Sequence, residues 1–230
     1  MRKRESQQKL EEKKSQIKPY FSAFLGGCTS GFTGELVVLT QDHKLTSSNV
    51  LGTTFRDNCV ISGIQQVAKD FSKNTLRTNA TFAQLNKTNP FLFGASTGLP
   101  MWFITRFFAT PIQNCRKKEP TSPYDGFVKS VINDVGYHTC KNGIDEYFAC
   151  RVFPKLLPQF PNYLVQKTVE SLVAGAIGSS CYVITWPYKT VLAGQPFKES
   201  IKLANKNFPK IVVKKFTYTF AKPQYDRLLK

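Results

Sequence analysis

Three long stretches without a single charged residue set the terms for what this chain can fold into. Pro19–Gly34, Thr88–Thr105 and Ser171–Tyr188 contain no Asp, Glu, Lys or Arg. Each approaches the ~20 residues an α-helix needs to cross a hydrocarbon core. Each is rich in Gly, Ala, Ser and Thr, whose small side chains let helices in a membrane approach closely. A charge interrupts the first two and does not end them: Leu36–Gln41 follows Glu35, and Phe107–Cys115 follows Arg106. Three such stretches, evenly spaced in 230 residues, predict an all-α membrane protein rather than a soluble helical domain.

The rest of the chain is basic. Thirty-two Lys and Arg against 15 Asp and Glu give a net charge of +17, which favours an anionic partner: nucleic acid, an anionic lipid surface or an anionic solute. The aromatic content of 13 % excludes a disordered tail protein. The mean hydropathy of −0.26 is low for a membrane protein, so many of the charges must lie outside the three stretches or face an interior. Residues 1–18 form a basic polar extension with no apolar core of a secretory signal, and Glu5, Glu11 and Glu12 argue against a cleaved mitochondrial presequence.

Enzyme chemistry finds little footing. Cys28, Cys59, Cys115, Cys140, Cys150 and Cys181 form no CxxC pair, and His43 and His138 are the only histidines, so no zinc cluster is expected. The thiols read as small buried hydrophobes. The glycines at 94 and 98 are not followed by the Lys-Ser/Thr of a phosphate-binding loop. No metal, cofactor or catalytic residue is expected.

The three stretches align in a common register when anchored on Thr40, Pro111 and Pro187, which stand 71 and 76 residues apart. Thirteen residues upstream stand Gly27, Gly98 and Ala174; nine upstream, Gly31, Trp102 and Gly178. Two downstream stand Asp42, Gln113 and Lys189; five downstream, Leu45, Arg116 and Leu192.

This pattern resembles the mitochondrial carrier family, whose three repeats each end an odd-numbered helix with Pro-x-acid-x-x-base. Thr40–Leu45, Pro111–Arg116 and Pro187–Leu192 look like worn copies of that motif. Tyr124–Gly126, Gly136, Gly143, Arg151 and Pro154 resemble the family's matrix helix and the start of an even-numbered helix. Gly52, Arg56 and Asp57 resemble the start of helix 2, and Asp70 with Lys73 its far end. Tyr225 and Asp226 resemble the end of helix 6. The resemblance implies a bundle of three helix-pair repeats, at about 19–87, 88–161 and 162–230, with up to six transmembrane helices. It places the chain, multi-pass, in the mitochondrial inner membrane.

The departures from the family bear on function. Only ten residues separate Leu45 from Arg56, too few for a first matrix helix, and Phe197–Lys206 has room only for a short third one. Helix 4 is expected near Asn142–Pro158 and helix 6 at about Pro209–Lys230. In the family, the acid of one motif pairs with the base of a neighbour to close the matrix side. Here the pairings fall on Gln113 with Leu45, Lys189 with Arg116, and Asp42 with Leu192, none of them an ion pair. Asp42 is left to bridge Lys189 or Arg116.

Position within the motifs makes Arg56, Arg151 and Lys214 the candidate anion-binding residues of a cavity, the alternative being that the two arginines satisfy helix-end carbonyls. Glu35 and Arg106 each lie five residues before an anchor, with Tyr182 in the third copy, so they are expected at one depth and paired. The leading functional expectation is a non-transporting structural or accessory subunit of a respiratory-chain or ATP synthase complex, with cardiolipin and other membrane subunits as partners. One alternative is a working carrier for an anionic metabolite or nucleotide. Another is a soluble basic mitochondrial RNA-binding protein using segments such as Lys214–Phe220, which the uncharged stretches disfavour.

Overall fold

The computed structural model describes residues 2–50, 52–116 and 122–229, with side chains from residue 16 onward. These residues are mostly helical, with no strand among them. Six long helices carry the fold: α1 (Arg2–Gln41), α3 (Thr53–Thr78), α5 (Pro90–Asn114), α6 (Phe127–Tyr147), α8 (Tyr163–Ile184) and α10 (Phe197–Leu228). Four short ones connect them: α2 (Ser47–Val50), α4 (Ala80–Thr88), α7 (Phe153–Leu156) and α9 (Trp186–Ala193).

Local sequence sets the boundaries. Asn89 caps α5 by accepting from the Leu92 amide at 3.1 Å, with Pro90 in the first turn, where a missing N–H costs nothing. Asn162 caps α8 in the same way, accepting from Leu164 at 2.8 Å. α8 breaks at Thr185 because Pro187 has no amide to donate and its ring crowds the preceding turn. The chain bends there by 45° into α9, which ends on Gly194 with φ +63°.

The long helices close into a ring in chain order. α1 packs on α3, α3 on α5, α5 on α6, α6 on α8, α8 on α10, and α10 back on α1. The ring thus consists of three consecutive helix pairs. Small residues stand where the two members of each pair approach most closely. A Cβ on Gly27 would lie 2.7 Å from the Gly63 Cα on α3, and one on Gly98 would lie 2.5 Å from the Thr139 Cα on α6. In the third pair, Gly178 faces Ile211 of α10.

Several boundaries differ from the sequence expectation. Tyr124–Gly126 is a turn, and the partner of α5 is α6 itself, Phe127–Tyr147. The stretch expected to be helix 4, near Asn142–Pro158, holds the end of α6, a π-helical turn and α7. The partner of α8 starts at Phe197, so Phe197–Lys206 forms the first turns of α10 and no separate helix; Lys230 lies outside the described residues. α2, four residues long, occupies the short link after Leu45. Residues 2–18 continue into α1 without a break.

The distribution of polarity is inverted. Among the described residues the buried set holds 15 polar or charged side chains and 13 hydrophobic ones, while 27 large hydrophobics are exposed. Phe103, Phe107, Phe108, Leu99 and Ile132 lie on the outside of the α5–α6 pair, and Ile184 and Val191 on α8 and α9. By length and composition one helix among the described residues, Gln16–Gln41, is long and apolar enough to cross a membrane. The bent pair Tyr163–Ile184 and Trp186–Ala193 counts as a second if taken as one span.

Candidate functional site

The ring encloses a cavity of about 550 Å³, lined mainly by α3, α6 and α10. Seven lysines and five carboxylates face it. Charges at such density in an interior are stable only when paired, and most of them are.

At the near end, where α1, α5 and α9 finish and α3, α6 and α10 begin, three ion pairs join one helix pair to the next. Arg116 meets Asp57 at 2.6 Å, Lys189 meets Asp134 at 2.8 Å, and Lys206 meets Asp42 at 2.9 Å. Asp134 also accepts from Arg106 at 3.3 Å, so one carboxylate on α6 holds both α5 and α9. The Lys206 hydrogen bond holds the Asp42 carboxyl below its ordinary value.

At the far end, Glu146 of α6 receives both Lys73 and Arg77 of α3, the latter at 3.2 Å. The adjacent Asp145 takes Lys69, one turn deeper on α3, at 3.3 Å and Lys141 of its own helix at 2.5 Å. The pairs from Lys69, Lys73 and Arg77 tie α3 to α6, two helices that are not neighbours in the ring. Glu170 of α8 pairs with Lys215 of α10 at 2.8 Å.

Aromatic rings line the space between these two sets. Trp102 stacks on His138 with centroids 3.8 Å apart, and the Arg106 guanidinium lies 4.6 Å over Trp102. Tyr137 and Tyr182 pack at 4.4 Å.

The expected pair Glu35–Arg106 is not made. Glu35 pairs with Lys210 at 2.7 Å and accepts from Asn58 at 3.2 Å, while Arg106 turns to Asp134 and to Gln113 at 3.1 Å. The first members of the three pairs, α1, α5 and α8, are each flanked by two of the second members, α3, α6 and α10, and their charges are met there. Of the three candidate anion-binding residues, only Lys214 lines the cavity; its ammonium donates to Ser62 Oγ at 2.8 Å. Arg56 is exposed at the start of α3. Arg151 is exposed and donates to the Lys87 carbonyl at 2.8 Å, satisfying the end of α4.

Of the gate-motif positions, Asp42, Arg116 and Lys189 all have partners outside the motif. Lys189 and Arg116 therefore do not stand as an uncompensated pair of cations, and Asp42 bridges neither of them. Thr40 donates to the Leu36 carbonyl at 2.9 Å, and Pro111 and Pro187 lie in α5 and α9. Leu45 and Leu192 are exposed.

Sequence reasoning missed Asp134, Asp145, Glu146, Glu170, Lys69 and Lys206. A signal was present: Lys206, Lys210, Lys214, Tyr218 and Lys222 recur every four residues, as do Lys69, Lys73 and Arg77. That spacing puts each set on one helix face. No protein-family model matches the chain, and no curated protein or solved structure matches it.

Proposed function

We propose that this chain is an integral membrane protein, a carrier-like bundle of three helix pairs that serves as a non-transporting structural subunit of an inner-membrane complex. The membrane reading rests on the inverted polarity: 27 exposed large hydrophobics surround an interior of paired charges. Exposed apolar surface marks a membrane or protein contact where it is extensive, and an intramembrane charge belongs inside and paired. The same surface disfavours the RNA-binding reading. The mitochondrial location rests on the motif resemblance alone.

The observation that carries the structural role is that ion pairs are made at both ends of the cavity at once. A transporter alternates between two states, so contacts closing one end must break while those at the other end form. Arg116–Asp57, Lys189–Asp134 and Lys206–Asp42 brace the near end while Lys73 and Arg77 hold Glu146 at the far end. A bundle so braced is a rigid element that other subunits can pack on, and its net charge of +17 favours cardiolipin and other anionic headgroups.

A second reading, a carrier for an anionic solute, draws on Lys214, which faces the cavity with a hydroxyl and no carboxylate in contact. Alkaline carbonate extraction tests the membrane reading; release into the supernatant refutes it. The purified protein in liposomes is expected to exchange no nucleotide, phosphate or dicarboxylate, and to co-migrate with a large complex on native gels. Robust exchange lost in Lys214→Ala refutes the structural role and establishes the carrier.

A further inference from the structure

Two cysteines that composition treats as inert hydrophobes face each other across one seam of the ring. Cys140 lies on α6 and Cys181 on α8, with their Sγ atoms 3.7 Å apart. This is sulfur–sulfur contact distance, and the two thiols share one hydrogen bond. Of the six cysteines these are the only two in thiol contact. Cys181 is fully buried, whereas Cys140 is half-buried.

Neither cysteine lines the cavity itself, but Tyr137, Lys141, Ile177 and Tyr182 do, and they stand beside the two cysteines in sequence or one turn away. Cys140, the half-buried sulfur, is the one a small oxidant reaches first. The seam itself is the least extensive of the three between helix pairs: α6 and α8 share fewer close approaches than α3 and α5 or α1 and α10. Their helices therefore have the most room for the small approach that bonding needs, since the sulfurs must close to about 2.05 Å.

We infer that Cys140 and Cys181 form a redox modification site, a dithiol that a hydroperoxide converts into a disulfide stapling the second helix pair to the third. Cys140 sulfur attacks the peroxide O–O bond, giving a sulfenic acid and releasing one water from hydrogen peroxide. Cys181 sulfur then displaces the sulfenic hydroxyl as a second water, forming the S–S bond. Two thiols give up two electrons and two protons, and the peroxide is reduced to two waters. The inference holds whether or not the cavity carries a solute.

The test treats the full-length protein, in membranes and in detergent, with hydrogen peroxide and maps the peptides without reduction. The expected result is one cross-linked peptide pair containing residues 140 and 181. Intact mass should fall by two hydrogens, and the melting temperature should rise, a shift reversed by dithiothreitol. Cys140→Ser and Cys181→Ser should each abolish the cross-link and the shift, while Cys28→Ser and Cys115→Ser leave both in place. Should a serine variant fold poorly, thiol alkylation of the unmodified protein before and after peroxide decides the matter: both sulfurs must become protected together. Persistence of free Cys181 while Cys140 advances to the sulfinic acid, or a disulfide joining any other two cysteines, overturns the inference.

Discussion

Glu146 is the residue on which replacement should cost most. Its side chain is only 3 % exposed and holds two cations from α3, Lys73 and Arg77. Glu146→Leu keeps the volume and removes the charge, leaving the Lys73 ammonium, 19 % exposed, without its ion-pair partner. Breaking a buried pair by deleting one partner costs about 3–5 kcal/mol, whereas replacing both partners by apolar groups is close to neutral. Arg77 moderates the effect, because it is 46 % exposed and can turn to water or keep its place 5.6 Å from the Phe93 ring. The expected cost of Glu146→Leu is therefore nearer ~3 kcal/mol, and that of Lys73→Met with Glu146→Leu about 1 kcal/mol. The double variant should thus be more stable than Glu146→Leu by ~2 kcal/mol, and the coupling from the double-mutant cycle is that difference plus the cost of Lys73→Met alone. Loss of helical ellipticity during titration with a denaturing detergent measures all four proteins. Equal midpoints for the single and double variants, or a single variant indistinguishable from the parent, would refute the view that these charges are stable only as a set.

Three further outcomes follow from the geometry. Gly98→Leu should force α5 from α6, because even a Cβ there lies 2.5 Å from the Thr139 Cα; a loss of about 3 kcal/mol is expected in the same titration, against ~1 kcal/mol for Gly194→Ala, where only the positive φ is strained. Cycles on Asp134 should couple it to both Lys189 and Arg106 by about 1 kcal/mol, while a Glu35–Arg106 cycle gives none; the reverse pattern would reinstate the pairing expected from repeat depth. For Asp42 the folded carboxyl titrates below its ordinary value, so its pairing with Lys206 contributes above the ordinary aspartate range and is lost as pH falls through the folded value. Comparing Asp42→Asn with the parent should give a small stability difference near neutrality that vanishes in acid, and a difference that grows in acid would contradict the sign.

The first members of the pairs, α1, α5 and α8, were legible in sequence because each holds a long run with no charge on any face, broken only by single charges such as Glu35 and Arg106. A run such as Thr88–Thr105 leaves few readings other than a helix within an apolar setting, and α5 spans it. The small residues were legible for a related reason: Gly27 and Gly98 share a register, and each stands where its helix touches its partner. The even helices hid because their polar inner faces read as solvated surface. α10 carries Lys206, Lys210, Lys214, Lys215 and Lys222, and mean hydropathy averages them with the aromatics on the opposite face. α6 was displaced by weighting the Tyr124–Gly126 motif over the twenty-one residues after it, which form one uninterrupted helix.

Ion-pair partners failed for a deeper reason. Repeat alignment fixes how far along the axis a residue sits, yet contact also depends on angle, which advances by about 100° with each helical residue. Glu35 and Arg106 share a depth and point at different neighbours: α10 carries Lys210 toward the first, and α6 carries Asp134 toward the second. In the closed ring α1, α5 and α8 are separated from one another by α3, α6 and α10, so a charge on one of the first three meets a charge on a flanking helix before it can reach across the cavity. The near-end pairs obey the same constraint, with Asp57 on α3, Asp134 on α6 and Lys206 on α10. Pairing drawn from motif slots alone, odd helix to odd helix, describes contacts that must span the interior. Here the interior is lined by the stacked Trp102 and His138 rings and by lysines most of which are already engaged, so the adjacent pairing is the one with both the shorter reach and the smaller desolvation to overcome.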